Sequence, residues 1–156
     1  MTLSMEYKIE GAEELMKKLD NKTLLAAPIR QFFQQSSHIV KRRTKELTPV
    51  DIGRLKASFS HIIDSSPVPL WALIGSDVFY APFVEAGTKP HFPPTSALKR
   101  WARVHHFSNV FLLCLTIARR GTKARRMLQR GFEESKGKIN ELLKQMGDNI
   151  KGEWQK

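Results

Sequence analysis

At Leu55 the spacing of apolar residues changes, and that change constrains the fold more than any other feature of the 156-residue chain. Upstream, Ile29, Phe32, Phe33, Ser36, Val40 and Leu47 recur at helical intervals, with Lys41, Arg42, Arg43 and Lys45 on the other side. Asn21 and Thr23 are candidate N-caps of this helix, and Pro28 is tolerated only near its start. Pro49 and Gly53 in "LTPVDIG" end it. In "RLKASFSHIID" the period becomes two, so that Leu55, Ala57, Phe59, His61 and Ile63 share one face of a strand. After the turn-rich "SSPVP", the segments "LWALIG" and "VFYAPFVEAG" read as two more strands. Short strands with short links predict an antiparallel arrangement rather than βαβ crossovers. The expected class is therefore α+β: an antiparallel meander of three to four strands, packed with a long N-terminal amphipathic helix and followed by C-terminal helices.

The flanking segments are read in the same way. "EYKIEG" at 6–11 alternates like a short strand, and Ala12, Leu15, Met16 and Leu19 then follow at helical spacing. "TSALKRWARVH" predicts a helix capped by Thr95 or Ser96, with Trp101 buried on Leu98, and "NVFLLCLTIARR", whose length and content also suit a strand, is read as a buried helix that takes Phe111 into the core. Gly121-Thr122 fits a glycine just past that helix and the N-cap of the next. Leu128, Phe132, Ile139, Leu142, Leu143, Met146, Ile150 and Trp154 then mark a long amphipathic helix. Gly131, Gly137, Gly147 and Gly152 each weaken it by about 1 kcal/mol relative to Ala, so it needs a surface, in its own domain or on a neighbouring subunit. Residues 1–135 are expected to form one domain, with 136–156 a helical extension continuous with it.

Composition narrows the function classes. The longest apolar run, "VFLLCLTIA", is too short to span a bilayer, and the N-terminus does not read as a secretory signal. A soluble, non-exported chain without membrane contact is expected. The lone Cys114 excludes a disulfide within one chain and reads as a buried, inert thiol. The net charge of +11 is unevenly placed: between 95 and 132 there are nine basic residues and no acid. Arg119, Arg120, Lys123, Arg125, Arg126 and Arg130 form the densest part of this segment. Such a patch fits nucleic acid, with Trp101, Phe107 and Phe111 as stacking groups, an acidic protein surface, or simply a solvated face. The sequence leaves these open.

The search for chemistry returns little. There is no phosphate-binding Gly-rich loop, nucleophile elbow, zinc-protease helix or Cys-based metal site. Asp51-Ile52-Gly53 has the outline of an aspartic-protease motif without its hydroxyl and in a single copy, which favours a helix-to-strand turn. His91, His105 and His106 lack an accompanying Cys or carboxylate. Asp51 and Glu85 would make an acid/base pair only if the fold brought them together. No catalytic residue, metal, cofactor or small-molecule ligand is expected.

Taken together, "TPVDIGRLKASF", "FYAPFVEAGTKPHFPP" and "IARRGTKARRMLQRGFEES" resemble the neck and minor tail proteins of long-tailed bacteriophages, the head–tail connector and tail-completion group. The family pattern is an amphipathic helix ending in Pro-x-Asp-Thr-Gly-x-Leu-x-x-Ser, strands leading to Tyr-Ala-x-x-Val-Glu-x-Gly-Thr, a Pro-rich loop and C-terminal helices. Pro49, Asp51, Gly53, Leu55 and Ser58 meet the first motif, and Tyr80, Ala81, Val84, Glu85, Gly87 and Thr88 the second. Ile52 stands where the pattern has Thr, which removes a hydroxyl from the turn. The resemblance spans residues 10–135 and implies a non-enzymatic virion protein of a phage or prophage, assembled in the host cytoplasm. It implies a homo-oligomeric ring at the head–tail junction, partnered by adjacent connector or tail proteins, with the basic segment free to face the acidic surface of an adjoining ring, the preferred reading, or packaged DNA in transient contact. Glu85 is then expected at the end of a sheet, accepting from the Gly87-Thr88 turn or pairing with a neighbour's basic residue.

Overall fold

A computed structural model describes residues 22–155 of the chain. The strand expected at 6–11, the helix at 12–19 and the Asn21 cap lie outside the described residues. The elements in chain order are α1 (Lys22–Leu47), α2 (Arg54–Ser58), β1 (Phe59–Ile63), β2 (Ala72–Ser76), α3 (Ala81–Ala86), α4 (Thr95–Val104), α5 (Val110–Arg120) and α6 (Met127–Trp154). The architecture is mixed helix and sheet, with the long N-terminal helix that the periodicity predicts. Pro28 sits inside α1 rather than at its edge.

The frame of the molecule is the pairing of α1 with α6. Val40, Thr44 and Thr48 on α1 and its exit, and Met127, Gly131 and Ser135 on α6, are buried at intervals of four. Ridges at that interval interlock, and small residues let the axes come close. Gly131 packs directly onto Thr44, where a Cβ would overlap the threonine hydroxyl. Two of the buried hydroxyls bond to the preceding turn: Ser135 Oγ donates to the Gly131 carbonyl at 2.6 Å and Thr48 Oγ1 to the Thr44 carbonyl at 2.6 Å, while Thr44 Oγ1 has no hydrogen-bond partner among the described residues. Met127 lies with Leu47, Gly131 with Thr44 and Glu134 with Arg43, so the helices run antiparallel. The long C-terminal helix thus finds its surface within its own chain. Arg43, expected on a solvated face, reaches across to Glu134 with its Nε at 2.6 Å.

The sheet among the described residues is a two-stranded antiparallel hairpin, paired from Phe59 with Ser76 to Ile63 with Ala72. Its tip is fixed by Asp64, whose carboxylate accepts from Ser66 N at 3.1 Å, Ser66 Oγ at 2.6 Å and Leu70 N at 3.1 Å. The Ser66 hydroxyl and amide and the Leu70 amide hold that carboxyl below the usual range. Arg30 of α1 donates to the Ser66 carbonyl at 2.7 Å, tying the tip to the first half of that helix. One face of the hairpin meets α1, where Lys41 Nζ lies 3.0 Å from His61 Nδ1. Burial, then Lys41 and His38, push the His61 imidazole below its ordinary value.

One expected strand and the start of another are helical instead. Arg54–Ser58 forms the short helix α2, leaving Ala57 exposed while Leu55 and Phe59 go to the core. "VFYAPFVEAG" turns into α3, with Pro82 in its first turn and Gly87 at its end with φ +74°. Leu55, Phe59, Val78, Ala81 and Met127 make the core of this region, with Leu47, Tyr80 and Val84 packed around it.

Candidate functional site

Most residues of the two motifs have an internal task around one joint. Gly53 opens α2 at φ +78°, a conformation that glycine adopts without strain, and its carbonyl accepts from Ala57 N at 2.8 Å. Leu55, Tyr80, Ala81 and Val84 belong to the core or pack on it. Ser58 Oγ lies 2.6 Å from Ser76 Oγ, closing the open end of the hairpin. Pro49 lines the groove described below, and Asp51 is exposed in the turn before α2.

Glu85 does not sit at a sheet end, and the Gly87-Thr88 turn is not its partner. Its two carboxylate oxygens accept from the backbone of α6, from Leu128 N at 2.9 Å and Gln129 N at 3.0 Å. The first turn of a helix carries amides without intrahelical acceptors, and a carboxylate there also meets the positive end of the helix dipole. Arg126, the residue before α6, has φ +49° and no side-chain cap of its own. Glu85 supplies the missing cap from more than forty residues away, and the Val84 and Glu85 carbonyls accept from Arg125 N and Arg126 N at 3.0 Å each.

Thr88 pairs with Thr122 in an isolated antiparallel bridge, with each amide 3.2 Å from the other's carbonyl and the two hydroxyls 3.0 Å apart. Residues 89–121 therefore leave and re-enter the body at one point, as an arm. Gly87 and Gly121 flank the pinch with φ +74° and +69°. A Cβ on Gly87 would fall onto the Thr122 carbonyl, and one on Gly121 onto that of Thr88.

The arm is a helical hairpin, α4 and α5. Asn109 caps α5 by accepting from Phe111 N at 3.0 Å and Leu112 N at 3.3 Å. Thr95 and Ser96 make no cap to α4, whose N-cap position is Pro94. Ala102 and Cys114 are buried, but α5 as a whole is not: Phe111 and Leu112 stand in solvent. Trp101 is also on the surface, stacked on His105 with ring centres 4.3 Å apart. Neither aromatic takes the core place expected of it.

Between the arm and α3 lies an open apolar groove of about 1110 Å³, with Phe79, Phe83, Leu98, Trp101, Leu113 and Ile117 among its walls. Phe79 is 83% exposed and Phe83 57%. Lys89, His91, Lys123 and Arg125 stand at its rim. Sequence reasoning found its wall residues only one by one, because the groove exists through the pinch at Thr88 and Thr122.

Arg119, Arg120, Lys123, Arg125 and Arg126 are exposed, and none has an ion-pair partner among the described residues. Arg130 reaches Glu134 at 3.2 Å. Arg43 and Arg130 together hold the Glu134 carboxyl below the usual range, Arg43 contributing more. His91 Nδ1 lies 2.9 Å from the Lys89 carbonyl and His105 stacks on Trp101, so the three histidines do not converge. Among the described residues no group of three or more His, Cys, Asp or Glu is placed to hold a metal ion, and no helix is long and apolar enough to cross a membrane. No family model, curated protein or solved structure matches the chain.

Proposed function

We propose that the chain is a structural, non-enzymatic virion protein of a tailed bacteriophage or prophage, one that assembles into a homo-oligomeric ring at the head–tail junction. There it joins the capsid connector to the tail or completes the tail top, with adjacent connector or tail proteins as partners. In this reading the family fold carries a meander of three to four strands, of which the hairpin supplies two. The observation that carries the proposal is the joint. The motif residues Gly53, Leu55, Ser58, Tyr80, Ala81, Glu85, Gly87 and Thr88 are spent on backbone geometry and core packing, as a scaffold requires. Glu85 in particular has each carboxylate oxygen accepting from a backbone amide of α6, which commits the side chain to capping a helix. The exposed aromatic groove supports an assembling rather than a solitary chain.

The test is the mass of the purified protein, alone and mixed with the neighbouring neck proteins, together with protein analysis of virions. Rings and a virion-borne chain are expected; monomers throughout and virions lacking the chain would sink the proposal. A second reading, a nucleic-acid-binding module, is favoured by the five exposed cations from Arg119 to Arg126, which have no ion-pair partner among the described residues. It requires DNA affinity that falls steeply with salt and disappears when Arg119, Arg120, Arg125 and Arg126 are changed to Glu.

A further inference from the structure

The hairpin carries a second apolar surface. Ile62 and Leu73 are cross-strand partners on its outer face, 59% and 61% exposed, and Trp71 continues the same side. Leu70 stands at the tip, 80% exposed. These side chains are displayed on a rigid mount. Asp64 N donates to the Trp71 carbonyl at 3.1 Å, the Asp64 carboxylate takes Leu70 N, and Pro69 between them is buried. An apolar knob held in this way loses little conformational freedom on docking.

The knob and the groove lie at opposite ends of the same helix. Arg30 fixes the hairpin tip beside the first half of α1, and Pro49, just past the end of α1, lines the groove. The rise of an α-helix puts roughly 25 Å between those two levels. A chain cannot fold its own knob into its own groove across that distance, because the hairpin tip is tied to the first half of α1 and the groove lies past its end. It can place its knob in the groove of another copy.

We propose that Leu70 and Trp71 of one copy insert between Phe83, Leu98 and Trp101 of the next, and that this contact is the subunit joint of the ring; the inference rests on the ring reading and names its interface. The contact is heterologous, each copy using one surface as donor and a different one as acceptor, so it repeats head to tail and closes if the rotation permits. It also removes from water the exposed side chains of Leu70, Trp71 and Phe83.

The test uses the full chain and two variants altered outside the buried core, at exposed Leu70, Trp71 and Phe83 and half-buried Leu98. One carries Leu70→Glu and Trp71→Glu; the other carries Phe83→Glu and Leu98→Glu. Sedimentation should show the parent chain as an oligomer and each variant alone as a monomer, its association weakened by at least about 100-fold by the charge forced into an apolar contact. Mixed in equal amounts the two variants should form a dimer and nothing larger, since only one intact knob and one intact groove can meet. Far-UV circular dichroism checks that both variants are folded. If the parent assembles but the mixture stays monomeric, or either variant still assembles, this joint is wrong while the ring reading stands. A parent that is monomeric at every concentration overturns both.

Discussion

Glu85 shows how much one side chain can settle. It lies outside α6 in sequence, yet it caps that helix with two charge-assisted bonds at 2.9 and 3.0 Å. Removing an N-cap costs about 0.5–2 kcal/mol, and two engaged oxygens place this one toward the upper end. Glu85→Ala should therefore lower the free energy of unfolding by about 2 kcal/mol in a urea titration, with the slope unchanged. Glu85→Gln keeps one acceptor oxygen and should lose about half as much. Asp51→Asn, in an exposed turn with no hydrogen bond to its carboxylate among the described residues, should stay within about 0.5 kcal/mol of the parent. A larger loss at Asp51 than at Glu85 would contradict this account. The sequence isolated Glu85 as the one acid before a basic stretch; its partner was hidden because the amides it binds belong to backbone, which carries no residue signature.

At the scale of elements, the long helices and the hairpin were legible and the two short helices read as strand, for one physical reason. Leu55 and Phe59 are four apart, an interval that belongs to a strand of period two and to a helix of period 3.6 alike. Val78, Ala81 and Val84, at intervals of three, favoured the helix, as did Pro82 in the first turn and Gly87 at the end. The aromatic residues around them read as strand because β-propensity reports a half-buried surface, and a short helix on a core offers one too. The apolar run of α5 misled in the opposite sense. It forms the helix, but a two-helix arm pinned at one point has too little material to bury all sides of it. That pinch is the element most open to test. Gly87→Ala forces an L-residue to φ +74° and a methyl group onto the Thr122 carbonyl, so the Thr88–Thr122 bridge must open. Hydrogen exchange should then accelerate at amides of 89–121 well before those of α1 and α6, with a global loss of about 1–3 kcal/mol. Gly147→Ala, whose Cβ meets open space, should instead stabilise by about 0.5–1 kcal/mol. Uniform exchange in the Gly87 variant would mean that the arm is held elsewhere.

Over the whole molecule, the charge pattern and the apolar surfaces pull in opposite directions. Composition made the acid-free basic segment plain, and the fold adds that its densest part, Arg119 to Arg126, stands beside the groove without ion partners among the described residues. Bringing one copy onto another therefore sets a chain of net charge +11 against a second one. The contact proposed between them is apolar, so its attraction is nearly independent of salt, whereas the repulsion is screened with a Debye length of about 10 Å at 0.1 M salt. Self-association should consequently tighten as salt rises from about 50 to 300 mM, within the range where screening changes most. Binding to DNA runs the other way, because each neutralised phosphate releases counterions and added salt opposes that release. Sedimentation at both salt concentrations, with and without duplex DNA, separates the two. Assembly that strengthens with salt supports an apolar joint between like-charged copies. Assembly that dissolves with salt would mean that the cations themselves make the contact, and that the groove beside them is not the seat of the subunit interface.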